Sequence, residues 1–503
     1  MMPASRRIAR ALLLAAALAS TAFFATPSAA KDLFVVDLVN EPSSLDPQKQ
    51  WNPDSYYVYR NVFDNLLTRD DDGKIVPQIA TKWDYKSPTE IVFTLRDDVK
   101  FHDGQPLSAQ DVAFSVNRII DPKFKSPQFS QFNKIKSAAV SGDNEVTVVT
   151  DGPYPVLLAQ LVKLSIVPKH VVETIGDDAF NAAPVGSGPY KFESWDRGSA
   201  VTLSRNDDYW GDKGPFPKVE FRAVPDAATR LADLQAGNAD LVVTLDADQA
   251  KQLEGSGSGK VLSALTERIA YLKLNPTLPP LDNPKVRQAV AQAIDKQGIV
   301  EGLLGGFDKP ATQMANDTYL GYVRDLESLP FDPEAAKKAV EEAGAGKTKL
   351  SFATSPVFDQ RIVQALAQML TDAGFDVEIQ LTDMATYLKR AQSDPAQQAN
   401  FAFGRWSCAC QDVDGVLFPL LHSSSSWSSL RNAEIDSLLE RGRNTLDEKE
   451  RLEAYTGVSQ FVAKEVPLVP LYEAAVLYGA AANLEWKPTA NESMFLNRMT
   501  WRD

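Results

Sequence analysis

The chain has 503 residues, 44% hydrophobic and 23% charged, with 52 Lys and Arg against 66 Asp and Glu. At roughly 150 residues per domain, that length suits about three domains. The composition is that of a folded globular protein, not of a disordered or collagenous chain. The formal charge of −14 argues against a nucleic-acid binder, whose surface needs an excess of Lys and Arg to neutralise phosphate. No Lys/Arg cluster offsets it.

The first thirty residues read as a secretory signal peptide. Arg6, Arg7 and Arg10 form a positive start, residues 11–25 are almost purely apolar, and Ser28 and Ala30 present small side chains to a signal peptidase. Cleavage is expected after Ala30. The alternative, a membrane anchor, needs about 20 apolar residues, and this run is shorter. No Cys follows it, which argues against a lipoprotein, and no later run is long enough to span. The expected compartment is a bacterial periplasm.

Residues 33–39 are predicted to form a buried strand and 54–67 a helix, with a hairpin turn at Asp70-Asp71-Asp72-Gly73. Strands are expected at 91–95 and 145–149. Between them Ser108 caps a helix running towards Arg118. From Asp282 the texture becomes more helical. Asn283-Pro284 precedes a helix to Ile294, and Asp332-Pro333 starts another that Gly344 stops. Residues 350–353 and 377–381 read as strands around a helix over 360–373. Residues 423–429, Ser-rich around Trp427, are expected to be an exposed loop. The class is mixed α/β.

Cys408 and Cys410 are the two cysteines. Two reduced, packed thiols are expected; a strained disulfide and a metal site are the alternatives. Zinc would need four ligands, and only His102, His170 and His422 could supplement them. Catalytic motifs fail on inspection. Residues 344–348 resemble the end of a phosphate loop, but Glu341 stands where its first Gly belongs and the strand–helix order is reversed. A calcium loop with Gly73 at its sixth position would begin at Thr68 and end at Ile79, which cannot ligate. Gly186-Ser187-Gly188 lacks the spacing of a nucleophile elbow.

Several segments in order do carry a signal: 77–83 (PQIATKW), 94–104 (TLRDDVKFHDG), 107–115 (LSAQDVAFS), 184–190 (PVGSGPY), 206–210 (NDDYW), 230–240 (RLADLQAGNAD) and 286–296 (VRQAVAQAIDK). Together they resemble the extracellular solute-binding proteins of peptide- and nickel-type ABC importers. The resemblance covers nearly the whole mature chain. It implies an α/β, two-lobed periplasmic binding protein with a hinge and an extra domain on the N-terminal lobe. Lobe I would comprise 31–75, 190–275 and 480–503, the extra domain 76–189, and lobe II 276–479. Gly186 and Gly188 are expected to supply backbone angles that side chains forbid. The implied partners are a small-molecule solute and an inner-membrane ABC permease. No cofactor, metal or nucleic acid is implied, and the protein is expected to be a monomer.

In peptide-binding relatives three regions face the cleft. The first is 51–56, here with Asn52, Asp54 and Tyr56. The second is the helix containing Arg361, which matches the position that holds a dipeptide's carboxylate. The third is the loop after a late strand, here with Trp406, Ser407, Cys408, Asp412 and Asp414. Trp406 offers a flat face for stacking. Asp412 and Asp414 match an Asp-Pro-Asp motif in which Val413 replaces Pro, and read chiefly as loop-forming acids. The relative's α-amine meets an acid shortly after the Trp, where this chain has Ala409. A free peptide N-terminus is therefore not expected to be anchored in that manner, and an anionic sugar, opine-type conjugate or other small polar solute fits better; the expected solute is small, polar and anionic, of opine-, sugar- or peptide-like chemistry. The competing reading is a secreted hydrolase or peptidase using the same cleft; it would need a nucleophile–base pair that the sequence does not display.

Overall fold

The computed structural model describes residues 31–50 and 52–502. The expected signal peptide and Trp51 lie outside the described residues. Among the described residues no helix is long and apolar enough to cross a membrane.

One large mixed sheet runs through the molecule. Its N-terminal half orders the strands Tyr190–Asp196, Ala200–Arg205, Lys218–Ala223, Leu33–Leu38 and Leu241–Val242. Leu33–Leu38 has a parallel neighbour on each side. Phe34, Val36 and Leu38 enter one hydrophobic cluster and Val35 another. Burial on both faces is why this strand reads as a nearly continuous apolar run.

The other half orders Phe401–Trp406, Lys349–Thr354 and Asp376–Leu381 around a separate core that includes Phe352, Leu366 and Phe401. Two long antiparallel strands, Lys260–Leu274 and Leu468–Ala480, join the halves. Leu468–Ala480 pairs at its end with Leu241–Val242, while Ile269 onward pairs with Phe401–Trp406. The register slips between Leu265 and Ile269, where the chain passes from one half to the other. A slip of this kind bends a strand and re-aims its side chains.

A four-stranded antiparallel sheet, in the order Ala80–Ser87, Glu90–Leu95, Glu145–Thr150 and Ile135–Gly142, has its own core with the helix Ala109–Ile120. Ser108 starts that helix as its sequence suggests: the Asp111 carboxylate accepts from the Ser108 backbone N–H at 2.9 Å and from its hydroxyl at 2.7 Å.

Three expectations change. The first helix is Pro53–Val62, ending five residues early with Phe63 extended. The reason lies in the glycine loop: the Gly188 N–H donates to the Val62 carbonyl at 2.9 Å and captures the helix end. Neither Gly186 nor Gly188 has a positive φ. They are needed for proximity, since a Cβ on Gly186 would lie 1.9 Å from the Val62 oxygen and one on Gly188 2.6 Å from the Asn61 oxygen. His102 locks the same loop. The Gly186 N–H donates to His102 Nδ1 at 3.2 Å, so Nε2 carries the proton and donates to the Gly188 carbonyl at 3.0 Å. Burial pushes this imidazole down to about 4. Finally, residues 423–429 are not simply exposed. Ser428 and Ser429 are buried, and Trp427 meets Trp406 edge-on with ring centroids 5.3 Å apart.

Candidate functional site

A cavity of about 470 Å³ opens where the two halves of the sheet and the four-stranded domain face one another. Asn52, Pro53 and Tyr56 line it from the start of the first helix. Asn52 is the helix cap: its side-chain oxygen accepts from the Ser55 N–H at 2.8 Å, and its amide donates to Ser43 Oγ at 2.8 Å. The Tyr56 hydroxyl lies 2.7 Å from Ser493 Oγ.

Residues 406–410 form the facing wall. Trp406 ends the strand Phe401–Trp406, and its indole N–H donates to the Gly415 carbonyl at 3.0 Å. That bond and the Trp427 edge fix the ring and leave part of it turned to the cavity. Cys408 and Cys410 are joined by a disulfide, not reduced as expected. Gly415 makes room for it, since a Cβ there would stand 2.3 Å from Cys408 Sγ. The loop is tied across the molecule. The Cys408 N–H donates to the Tyr319 oxygen, whose hydroxyl donates to the Glu267 carbonyl, both at 2.8 Å. Arg69, from the hairpin after the first helix, donates to the Cys410 carbonyl at 2.8 Å.

Asn52, Tyr56, Trp406, Ser407 and Cys408 thus meet in one cavity, and three other residues singled out in the sequence stand apart from it. Asp54 is buried and accepts from the Asn40 backbone and side chain at 3.3 and 3.1 Å. Asp412 is buried against Arg451, whose Nη2 reaches both carboxylate oxygens at 3.0 and 2.9 Å. Arg361 is exposed and lines a separate crevice of about 200 Å³. It donates to Asp359 at 2.7 Å and lies 3.7 Å from Asp248.

Four cations (Lys134, Lys163, Arg268, Arg443) and three acids (Glu267, Asp414, Glu492) line the cavity. Arg268 pairs with Glu492 at 2.9 Å and Arg443 with Asp414 at 3.2 Å. Lys163 donates to Gln131 Oε1 at 2.7 Å. Glu267 and Lys163 are each only 7% exposed. Burial pushes the Glu267 carboxyl above its ordinary range, with Lys163 pulling it back down; burial pushes the Lys163 amine below its own. The sequence held a signal for both. Glu267-Arg268 puts two adjacent charges in the middle of a largely apolar strand, and Lys163 is the single charge in the mainly apolar run 157–167. A charge at a position patterned for burial demands a partner.

Bacterial extracellular solute-binding proteins of family 5 match residues 74–428. The chain belongs to that family. Its members are the solute-binding components of ABC importers, working outside the cytoplasm and delivering to an inner-membrane permease; their work is transport rather than catalysis. The heme-binding protein A of Haemophilus influenzae is 26% identical over 494 residues, covering 90% of this chain and 89% of its own. The glutathione-binding protein GsiB of Salmonella paratyphi A is 26% identical over 472 residues, covering 91% of each. The ABC transporter-associated periplasmic binding protein DppA of Helicobacter pylori, solved with the peptide STSA, superposes with a TM-score of 0.75 at 25% identity. It covers 94% of this chain and 98% of its own. The α/β fold of this solute-binding protein is the two-lobed one expected. Among the described residues no histidine lines the cavity, and no group of three or more His, Cys, Asp or Glu could hold a metal ion.

Proposed function

We propose that this solute-binding protein captures a small, polar solute with an anionic group, of opine-, sugar- or peptide-like chemistry, in the 470 Å³ cavity. The lobe and extra-domain boundaries, the monomeric state and the cleaved signal peptide expected from the sequence belong to the same proposal. The observation that carries the reading is the make-up of the cavity. It joins a partly open Trp406 face to four cationic side chains, one more than the three acids that line the same cavity. An apolar wall with a few placed charges is how small-molecule sites orient polar ligands. In this reading Lys163 and Lys134 meet the anionic end, and Trp406 stacks on the rest of the solute. Arg361, already held by Asp359, serves the other crevice. The size fits a solute of a few linked residues; heme, glutathione and a tetrapeptide are named for the relatives and show how widely the fold is used.

Thermal unfolding in the presence of short peptides, glutathione and sugar acids tests it. A ligand present at about 100 times its Kd stabilises the folded state by about 2.7 kcal/mol. At least one of these classes should raise the melting temperature, and Trp406→Ala should weaken its binding at least tenfold. No rise with any class, under conditions where the protein is folded, would overturn the proposal.

A further inference from the structure

Glu267 is the one acid lining the cavity that has no salt bridge within it among the described residues. Asp414 is held by Arg443 and Glu492 by Arg268. Every backbone bond around Glu267 is fixed. Its N–H donates to the Ala490 carbonyl at 3.2 Å and its carbonyl accepts from Tyr319. On either side of it, the Thr266 hydroxyl donates to the Ala474 carbonyl at 2.7 Å and the Arg268 N–H donates to that hydroxyl oxygen at 3.2 Å. The residue therefore sits rigidly at the register slip between the two halves. The residue is only 7% exposed, and Oε2 is buried without a hydrogen-bond partner among the described residues. A buried carboxylate oxygen left without a donor is costly, and such a group in a cavity wall is made to be completed by what enters. Lys163, also in the wall, is within electrostatic reach of it.

We infer that Glu267 is the subsite for a cationic nitrogen, so that the solute carries a protonated amine together with its anionic group. This rests on the solute-capture reading above and narrows it. It also answers the absence of an acid in the loop after Trp406. Ala409 contributes only a methyl there, while Asp54 and Asp412 are spent on Asn40 and Arg451. The acid comes from the crossing strand instead. An amine laid against Glu267 accepts no bond itself; it donates to the carboxylate from the cavity that this residue lines. The anionic end then turns towards Lys163 and Lys134. Amine-bearing opine- or peptide-like solutes satisfy both ends, and sugar acids satisfy only one.

Calorimetry on the mature full-length chain separates the two. The probes are a set of dipeptides, glutathione, their N-acetylated counterparts, and galacturonic acid as an amine-free anion. Wild type is expected to bind at least one free-amine probe at least tenfold more tightly than its N-acetylated form. Glu267→Gln, which keeps the shape, should erase that preference while leaving the melting temperature of the empty protein near the wild-type value. Equal binding of both forms, a preference that survives Glu267→Gln, or binding of galacturonic acid alone would each overturn the subsite while leaving solute capture standing. Failure of every probe would overturn both. If Glu267→Gln does not fold, the wild-type comparison of free and acetylated probes decides alone.

Discussion

Asp412→Ala is expected to destabilise the protein by about 3–5 kcal/mol, the usual cost of stranding one member of a buried ion pair. Arg451 is 2% exposed and Asp412 3%, so neither charge has water to fall back on. Arg451 also donates through Nε to the Gly442 carbonyl at 2.9 Å, and the Asp414 N–H donates to Asp412 Oδ1 at 3.0 Å. The pair therefore pins the loop that carries the disulfide to the helices Ala433–Asn444 and Glu448–Glu465. Burial pushes the Asp412 carboxyl up and Arg451 holds it down, so removing the guanidinium in Arg451→Met leaves an acid that protonates instead of ionising. Replacing both, with Asp412→Leu and Arg451→Met, should recover much of the loss, because the desolvation penalty disappears with the charges. Denaturant midpoints of the three variants check this. A single Asp412→Ala variant as stable as wild type, yet impaired in binding, would make Asp412 a ligand contact rather than a strut.

Gly186→Ala is expected to cost at least the upper end of the roughly 1–3 kcal/mol range for overpacking. The new methyl would stand 1.9 Å from the Val62 carbonyl oxygen, which is backbone and cannot swing aside. Moving the loop breaks the Gly188-to-Val62 bond that ends the first helix and both bonds to His102. That helix begins at the cavity with Asn52, Pro53 and Tyr56, so binding should weaken along with stability. Gly302 is the control. It lies inside the helix Lys296–Leu303, and a Cβ there meets nothing within 4 Å. Gly302→Ala should be neutral or stabilise by up to about 1 kcal/mol, through helix propensity. Comparing the two unfolding midpoints reads the difference; equal effects would show that the clash relaxes.

Much of the architecture was legible because it follows local patterns. Leu33–Leu38 announces itself as a doubly buried strand, and the caps at Ser108, Asn283 and Asp332 and the stop at Gly344 fall where the sequence puts them. The ordered segments identified the family. The two long strands that join the halves were not seen. Lys260–Leu274 carries Lys, Thr, Glu and Arg among its apolar residues and changes neighbours at its slip, so no single alternation runs through it. The site divides in the same way. Asn52, Tyr56, Trp406, Ser407 and Cys408, which the resemblance places at the cleft, line the cavity. Arg361 and Asp412 have suitable side chains, but those are already paired with Asp359 and Arg451. Pairing across distant segments is invisible to spacing. Glu267 and Lys163, about a hundred residues apart, line one cavity only because the four-stranded domain faces the crossing strand.

Solute capture in this cavity is tested most directly by the mass of the protein isolated from cells under native conditions. The wild-type chain should carry a non-covalent adduct of the size that a cavity of about 470 Å³ admits, released when the protein is unfolded. Ala409→Trp, which fills the space beside the disulfide, should emerge bare. A wild-type protein without adduct, or the same adduct on both proteins, would contradict the account.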